Sequence, residues 1–230
     1  MINYLNKYKL VLSFLFLAVS SISCLSLNNI YFGSAGVLTR VKIGKEWHLI
    51  LAREVCGPKK GTYDCFAGKR DQGEKPFETA FREFREESSG VFSNSEAKGI
   101  TSKAKAIIAK LTSQNNNVSG VLYLVDLDLS QFAKLKNNFY KNLKNPKLNR
   151  VFKEKDKLAL IKESDFIKAL KTSHNRHQFF VDAQVLESNL KTKKASIQIY
   201  PFLIKMLKDY YNNSKNYIKD SSNKLAKFYK

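Results

Sequence analysis

The chain has 230 residues, 43% of them hydrophobic, and 40 Lys and Arg against 20 Asp and Glu leave it with a formal net charge of +20. Roughly 200 residues follow an apolar N-terminal segment, which suits one domain with insertions, and no internal repeat suggests a repeat array. The basic balance points to polyanionic partners, and its three scattered histidines and three cysteines argue against a zinc centre.

Residues 1–9 carry Lys7 and Lys9 and no acid, residues 10–19 are an almost unbroken apolar run, and Ser20, Ser21, Ile22, Ser23 and Cys24 follow. That order of basic, apolar and small residues is that of a secretory signal. Cleavage before Cys24 would resemble a bacterial lipoprotein signal. The uncharged stretch from Leu10 to Leu27, about 18 residues long, also suffices for a retained membrane anchor, and a buried helix is the third reading. Residues 1–27 are therefore read as a signal peptide or anchor, and the protein as exported or membrane-associated.

Alternation of apolar residues predicts strands over 34–43, 47–53 and 63–67. Cys56 and Cys65 flank a turn-rich segment between the last two. If those strands pair as a hairpin, the two cysteines either form a disulfide, leaving Cys24 for processing, or remain reduced thiols. His48 falls in the strand pattern as a packing or surface residue.

Gly68 and Gly73 then bracket a polar loop that leads into a helix over 77–88. Pro76 suits its first turn, Glu78 favours the positive end of its dipole, and Glu78 can pair with Arg82 at i+4. Phe77, Phe81 and Phe84 gather on one side of that helix. Glu83, Glu86 and Glu87, at i, i+3 and i+4, gather on the other. Three carboxylates so close repel unless a cation neutralises them, and hard oxygen donors suit Mg²⁺ or Mn²⁺.

Beyond it, the pattern predicts a short helix over 102–111, a turn at Asn115, Asn116 and Asn117, and a long buried strand over 118–127. A lysine-rich helix spans 130–144 and stops before Pro146. Residues 157–162 return to the sheet, and Ser164 caps a helix to Leu170. His174 and His177, with no third ligand, read as a polar loop. Residues 196–211 have helical spacing and would cover the other sheet face, giving an α/β/α sandwich with lysine-rich helical insertions. The domain is placed at 28–211 and a polar basic tail, frayed or a peripheral helix, at 212–230. Residues 131–230 hold 23 Lys and Arg against 8 Asp and Glu, a surface for RNA or an anionic membrane or a trace of biased composition; no RNA-binding motif accompanies it.

The segment from Gly68 to Gly90 resembles the Nudix box, G-x5-E-x7-R-E-U-x-E-E-x-G-U with U a bulky aliphatic residue. Gly68, Glu74, Arg82, Glu83, Glu86 and Glu87 match in spacing. Phe84 stands where an aliphatic residue is usual, and Ala67 replaces a glycine that precedes the box. Ser89 occupies the glycine position and Gly90 the last aliphatic one, as if one residue had been inserted before Gly90 and Val91. The likeness extends loosely from Ser34 to Asp128, and the box is its specific part.

The resemblance implies a Nudix-like sandwich around a mixed sheet, and a hydrolase cleaving a pyrophosphate bond in a nucleoside diphosphate linked to another moiety. It implies that Glu83, Glu86 and Glu87 ligate Mg²⁺ or Mn²⁺ with the Gly68 carbonyl, that Arg82 and Glu74 orient helix and loop, and that Gly73 supports them. The general base would be a box glutamate or an acid on a separate loop, for which Glu163 is the outside candidate. The competing class is a membrane-tethered, catalytically inactive Nudix-fold protein that binds nucleotide or RNA; the intact acids favour the hydrolase.

Overall fold

Strands covered on both faces read as unbroken apolar runs, and four of these form the centre of the sheet. The structure, a computed structural model, describes residues 32–111, 118–173, 178–212 and 226–229. The runs are β1 (Ser34–Ile43), β2 (Glu46–Glu54), β6 (Val118–Leu127) and β7 (Lys155–Lys162). The pleat sorts their alternate residues: Val37, Ile50, Val121, Val125 and Leu158 enter one core, while Leu38, Leu49, Leu51, Leu122 and Ile161 enter the other.

Around them lie β3 (Tyr63–Asp64), β4 (Phe66–Lys69), β5 (Ala106–Leu111), β8 (Phe180–Leu186), β9 (Thr192–Gln198) and β10 (Ala226–Tyr229). The sheet runs in the order β10-β5-β6-β1-β2-β7-β8-β9, with β3 beside β2 and β4 beside β1. It is mixed: β1 is parallel to β6 and β10 to β5, while the other named pairs are antiparallel. Residues of α1 (Pro76–Glu87), α2 (Asn94–Thr101) and α3 (Leu129–Leu143) pack into the first core. Those of α4 (Glu163–Thr172) and α5 (Pro201–Asn212) pack into the second. The fold is thus an α/β/α sandwich on a mixed sheet.

One edge of β1 is shared by two partners, and this division positions the glycine loop. β2 pairs along Thr39–Ile43 and β4 along Ser34–Val37. Gly36 makes the second pairing sterically feasible, because a Cβ there would lie 2.2 Å from the Ala67 side chain and 2.4 Å from the Phe66 carbonyl. β4 is thereby held so that its last residues feed directly into the loop before α1.

Three expectations are corrected. The helix expected over 102–111 lies earlier, because Ser93 and Glu96 form a capping box that starts α2 at Asn94, and Ala106–Leu111 instead pairs antiparallel with β6. The helix expected over 196–211 begins only at Pro201, since residues up to Gln198 are claimed by pairing with β8. In the tail, Ala226–Tyr229 is an edge strand parallel to β5. The N-terminal signal or anchor, the asparagine turn and His174 with His177 lie outside the described residues. Among the described residues no helix is long and apolar enough to cross a membrane.

Candidate active site

α1 forms because its sequence supplies both a start and a two-faced surface. Pro76 stands at the first helical position, and the Glu78 carboxylate accepts the Lys75 amide at 2.8 Å. Glu78 therefore serves the helix end and not Arg82. Phe84 is fully buried, edge-on to Phe66 at 5.4 Å and stacked on Phe92 at 5.1 Å. Burying a side chain of that size stabilises by about 1.5–3 kcal/mol. Phe77 and Phe81 pack edge-on to each other, and Phe77 reaches Tyr123 of β6. With one face fixed to the sheet, the acidic face is directed at β4 and its loop.

The helix leaves through a Schellman motif that accounts for the unusual end of the box. Ser89 donates its amide to Glu86 O at 2.9 Å and Gly90 to Arg85 O at 2.9 Å, with φ of +59° at Ser89 and +65° at Gly90. Ser89 takes the left-handed conformation for which glycine is favoured, and Asn142 of α3 holds its carbonyl at 2.8 Å.

Arg82 gathers the predicted residues into one cluster. Its Nε lies 2.7 Å from Glu74 Oε1, its Nη2 lies 3.0 Å from Glu74 Oε2 and 2.9 Å from the Lys69 carbonyl, and its Nη1 reaches Glu83 at 2.6 Å and Glu86 at 3.2 Å. Glu74 also accepts the Asp71 amide and the Thr79 hydroxyl. Hydrogen bonding from Arg82 is the main reason that the Glu74 carboxyl is held down to about 2. Loop and helix are in this way tied by one guanidinium.

Gly68 lies directly against Glu83: a Cβ on Gly68 would meet all three carboxyl atoms of Glu83 at 2.3–2.4 Å. The backbone and the carboxylate can approach only because the side chain is absent. Burial pushes the Glu83 carboxyl up to about 7 against the pull of Arg82, with repulsion from Glu86 and Glu154 adding to it. Gly73, at φ +84°, turns the loop between these groups.

Glu87 is held differently. Its Oε2 accepts the Ala67 amide at 2.7 Å, and its Oε1 lies 3.2 Å from the ammonium of Lys155. Lys155 is fully buried and also bonds Glu54 at 2.6 Å and the Cys65 carbonyl at 3.4 Å. A β-bulge puts it there. The register of β2 on β7 shifts after Arg53, so that Glu54 opposes Lys155 and Asp156 is the extra residue. Burial works against the Lys155 charge, but the attraction of Glu87, Asp64 and Glu54 outweighs it and raises its pKa. Lys59 extends the network, 3.0 Å from Asp64 and 3.5 Å from Glu54.

Sequence reasoning missed Lys155, Glu54, Asp64 and Glu154. The available signal was a charged residue at the end of each of two apolar runs, Glu54 and Lys155, which only strand pairing brings together. Two other candidates stand apart from this network. Cys56 and Cys65 are free thiols, Cys56 exposed and Cys65 buried in the second core, because they do not oppose each other across a hairpin. Glu163 bonds Arg40 and Tyr211 instead, a cluster that shares no residue with the network around α1. His48 lies buried in β2.

The donors suit a hard divalent ion in kind: carboxylate oxygens beside a glycine backbone that admits them. As the side chains stand, no three acidic, His or Cys groups among the described residues form a metal-holding set.

No family model matches the chain, and no curated protein matches it. Among solved structures it is similar to an Ap4A hydrolase from C. elegans, with 16% identity over 60% of this chain and 85% of that one, at a TM-score of 0.36. A mutT/nudix family protein from Listeria innocua aligns at 10% identity over 80% and 94% of the two chains, with a TM-score of 0.39. A bifunctional NMN adenylyltransferase/ADP ribose pyrophosphatase from Francisella tularensis, complexed with AMP and a Mn ion, aligns at 12% identity over 70% and 43%, with a TM-score of 0.35. The overlap with all three is one of outline.

Proposed function

We propose that this chain is a divalent-metal-dependent, Nudix-type hydrolase that cleaves a pyrophosphate bond in a nucleoside diphosphate linked to another moiety. The observation that carries the reading is the Arg82 cluster, in which Glu74, the Lys69 carbonyl, Glu83 and Glu86 converge on one guanidinium beside Gly68. An ordinary solvated helix face has no reason to draw a loop acid, a strand carbonyl and two helix acids to one point.

A pyrophosphate resists attack because its own charge repels a nucleophile. Bound Mg²⁺ or Mn²⁺ supplies neutralisation of phosphate oxygens and activation of a water. In this reading the carboxylates of α1 and the Gly68 carbonyl hold the ion. Arg82 and Glu74 keep loop and helix in register, and Gly68 leaves the room that the Glu83 carboxylate needs. The basic C-terminal half fits a polyanionic substrate.

The test is phosphate release from a panel of nucleoside triphosphates, nucleotide sugars, dinucleoside polyphosphates and capped RNA, with Mg²⁺ or Mn²⁺ present. One class is turned over, EDTA stops the reaction, and Glu86→Gln slows it by more than about 10-fold through loss of a ligand. Turnover that is indifferent to both EDTA and Glu86→Gln would sink the reading.

A further inference from the structure

From the last turn of α3 to the start of β7 the chain places a cation at every third position: Lys141, Lys144, Lys147, Arg150 and Lys153, with no acid anywhere in residues 141–153. The backbone turns with the same period. The Asn145 amide donates to the Asn142 carbonyl at 2.9 Å, Leu148 to Asn145 at 3.2 Å and Phe152 to Asn149 at 3.0 Å. Within such turns residues three apart fall on one side. The inward side is taken by other residues: Asn142 holds the Ser89 carbonyl, Leu143 packs on the first core, and Phe152 lies against Gly90 and beneath the Arg85 guanidinium. Lys141, Lys144, Lys147 and Arg150 are exposed and Lys153 is half-buried, and none of the five is in an ion pair among the described residues. The acids that follow are turned to other groups, Asp156 to Arg53 and Glu154 close enough to Glu83 to repel it. Like charges gathered in this way repel one another, and a polyanion relieves them.

We propose that the stripe from Lys141 to Lys153 is a docking surface for a single nucleic-acid strand, held through its phosphates without regard to base sequence. A small nucleotide has too few phosphates to engage five separate cations, whereas a repeating phosphate chain engages all of them, and one row of cations meets one strand. An anionic membrane fits less well. A segment that settles on lipid adds an apolar face, and here Val151, 39% exposed, is the one large apolar side chain that the stripe exposes. Bases have no platform to stack on, because Phe152 is covered by Arg85 and Gly90, so the contact is to phosphate. The stripe ends where Phe152 packs against Gly90 at the exit of α1, and a strand lying along it ends beside the helix that carries the acids. The proposal goes beyond the hydrolase reading and does not rest on it.

The experiment follows the anisotropy of a fluorescein-labelled single-stranded RNA of about 15 nucleotides mixed with the full chain in EDTA, which keeps turnover out of the measurement. Five phosphate contacts predict that log K falls with log salt at a slope of about −3.5, a loss of roughly 100-fold between about 50 and 200 mM salt, and that a second sequence of the same length binds equally well. Combining Lys141→Gln, Lys144→Gln, Lys147→Gln and Arg150→Gln, all at exposed positions, is expected to bring the slope to about −0.7. Combining Lys98→Gln, Lys191→Gln, Lys193→Gln and Lys194→Gln removes as much charge from exposed positions elsewhere and is expected to leave the slope as it was. An equal loss in the two variants would overturn the proposal, since net charge alone would then hold the strand. No binding of RNA at about 50 mM salt would overturn it as well, and phosphatidylserine vesicles that bind the wild type and not the stripe variant, where RNA binds neither, would give the stripe to a membrane. None of these outcomes bears on the hydrolase reading, because no turnover is measured.

Discussion

Ser89 shows how one residue carries a local cost that the fold tolerates. It adopts φ +59° at the position where the box pattern has glycine, and its Oγ has no hydrogen-bond partner among the described residues. The left-handed region costs a non-glycine residue roughly 1 kcal/mol. Ser89→Gly keeps the backbone carbonyl that Asn142 binds, and the more flexible unfolded chain offsets part of the gain. The substitution is therefore expected to stabilise by about 0.5–1 kcal/mol, read as a higher urea midpoint at an unchanged slope. Glu74 makes a second prediction at this scale. Its carboxyl is at about 2 in the folded chain against an ordinary 4.5, so the folded state favours the ionised form. A depressed acid contributes stability above its unfolded value and loses it as pH falls toward the folded one. The stability difference between the wild type and Glu74→Gln should hold constant above pH 4.5 and shrink steadily toward pH 2. A difference that is flat across that window would mean that Arg82 does not hold the Glu74 charge.

Among the elements, α3 depends on one hydroxyl for its seat on the sheet. Tyr140 donates to the Leu186 carbonyl of β8 and accepts the Leu158 amide of β7 at 3.2 Å, joining a helix to two strands of the first core. Tyr140→Phe leaves two buried backbone groups unpaired and should cost about 1–3 kcal/mol, measured by urea unfolding; a loss near zero would show that the groups find other partners. How far an element was readable from sequence depended on how many of its faces are covered. β1, β2 and β6 are sandwiched between the two cores, so their apolar runs stand out. In β8, Phe180, Asp182 and Gln184 are exposed while Val181, Ala183 and Val185 are buried, and β9 is still more exposed. A seven-residue strand with one covered face is easily hidden in a lysine-rich stretch, and the hairpin these two form was missed. α1 was legible because its phenylalanines and acids divide cleanly at helical spacing. β5 was misread as helix because Ala and Lys dominate its approach, and only antiparallel pairing with β6 decides its state. The candidate site follows the same rule. Gly68, Glu74, Arg82, Glu83, Glu86 and Glu87 lie within one continuous segment and were found, whereas Lys155 and Glu54 meet across a bulged ladder with 100 residues of chain between them and were not.

The whole molecule carries a net charge of +20, yet its candidate site has the opposite sign. Glu54, Asp64, Glu74, Glu83, Glu86 and Glu87 are answered by Lys59, Arg82 and Lys155, which leaves an acidic excess inside a basic protein. That excess is not local to α1. Its members come from β2, β3, the loop before α1, α1 itself and β7, so the network cannot open without separating the helix from the sheet. An ion that binds there stabilises the same packed unit that unfolds globally, and binding should appear in the global transition. At Mn²⁺ a hundredfold above its dissociation constant, mass action adds about 2.7 kcal/mol. For a domain of this size that corresponds to a rise in Tm of roughly 5–10 °C. EDTA should reverse the shift, and the increment should grow logarithmically with Mn²⁺. A melt that ignores Mn²⁺ over that range would mean that the acidic excess is settled by Arg82, Lys59 and Lys155 alone, with the carboxylates serving as the struts of the sandwich and not as a metal centre.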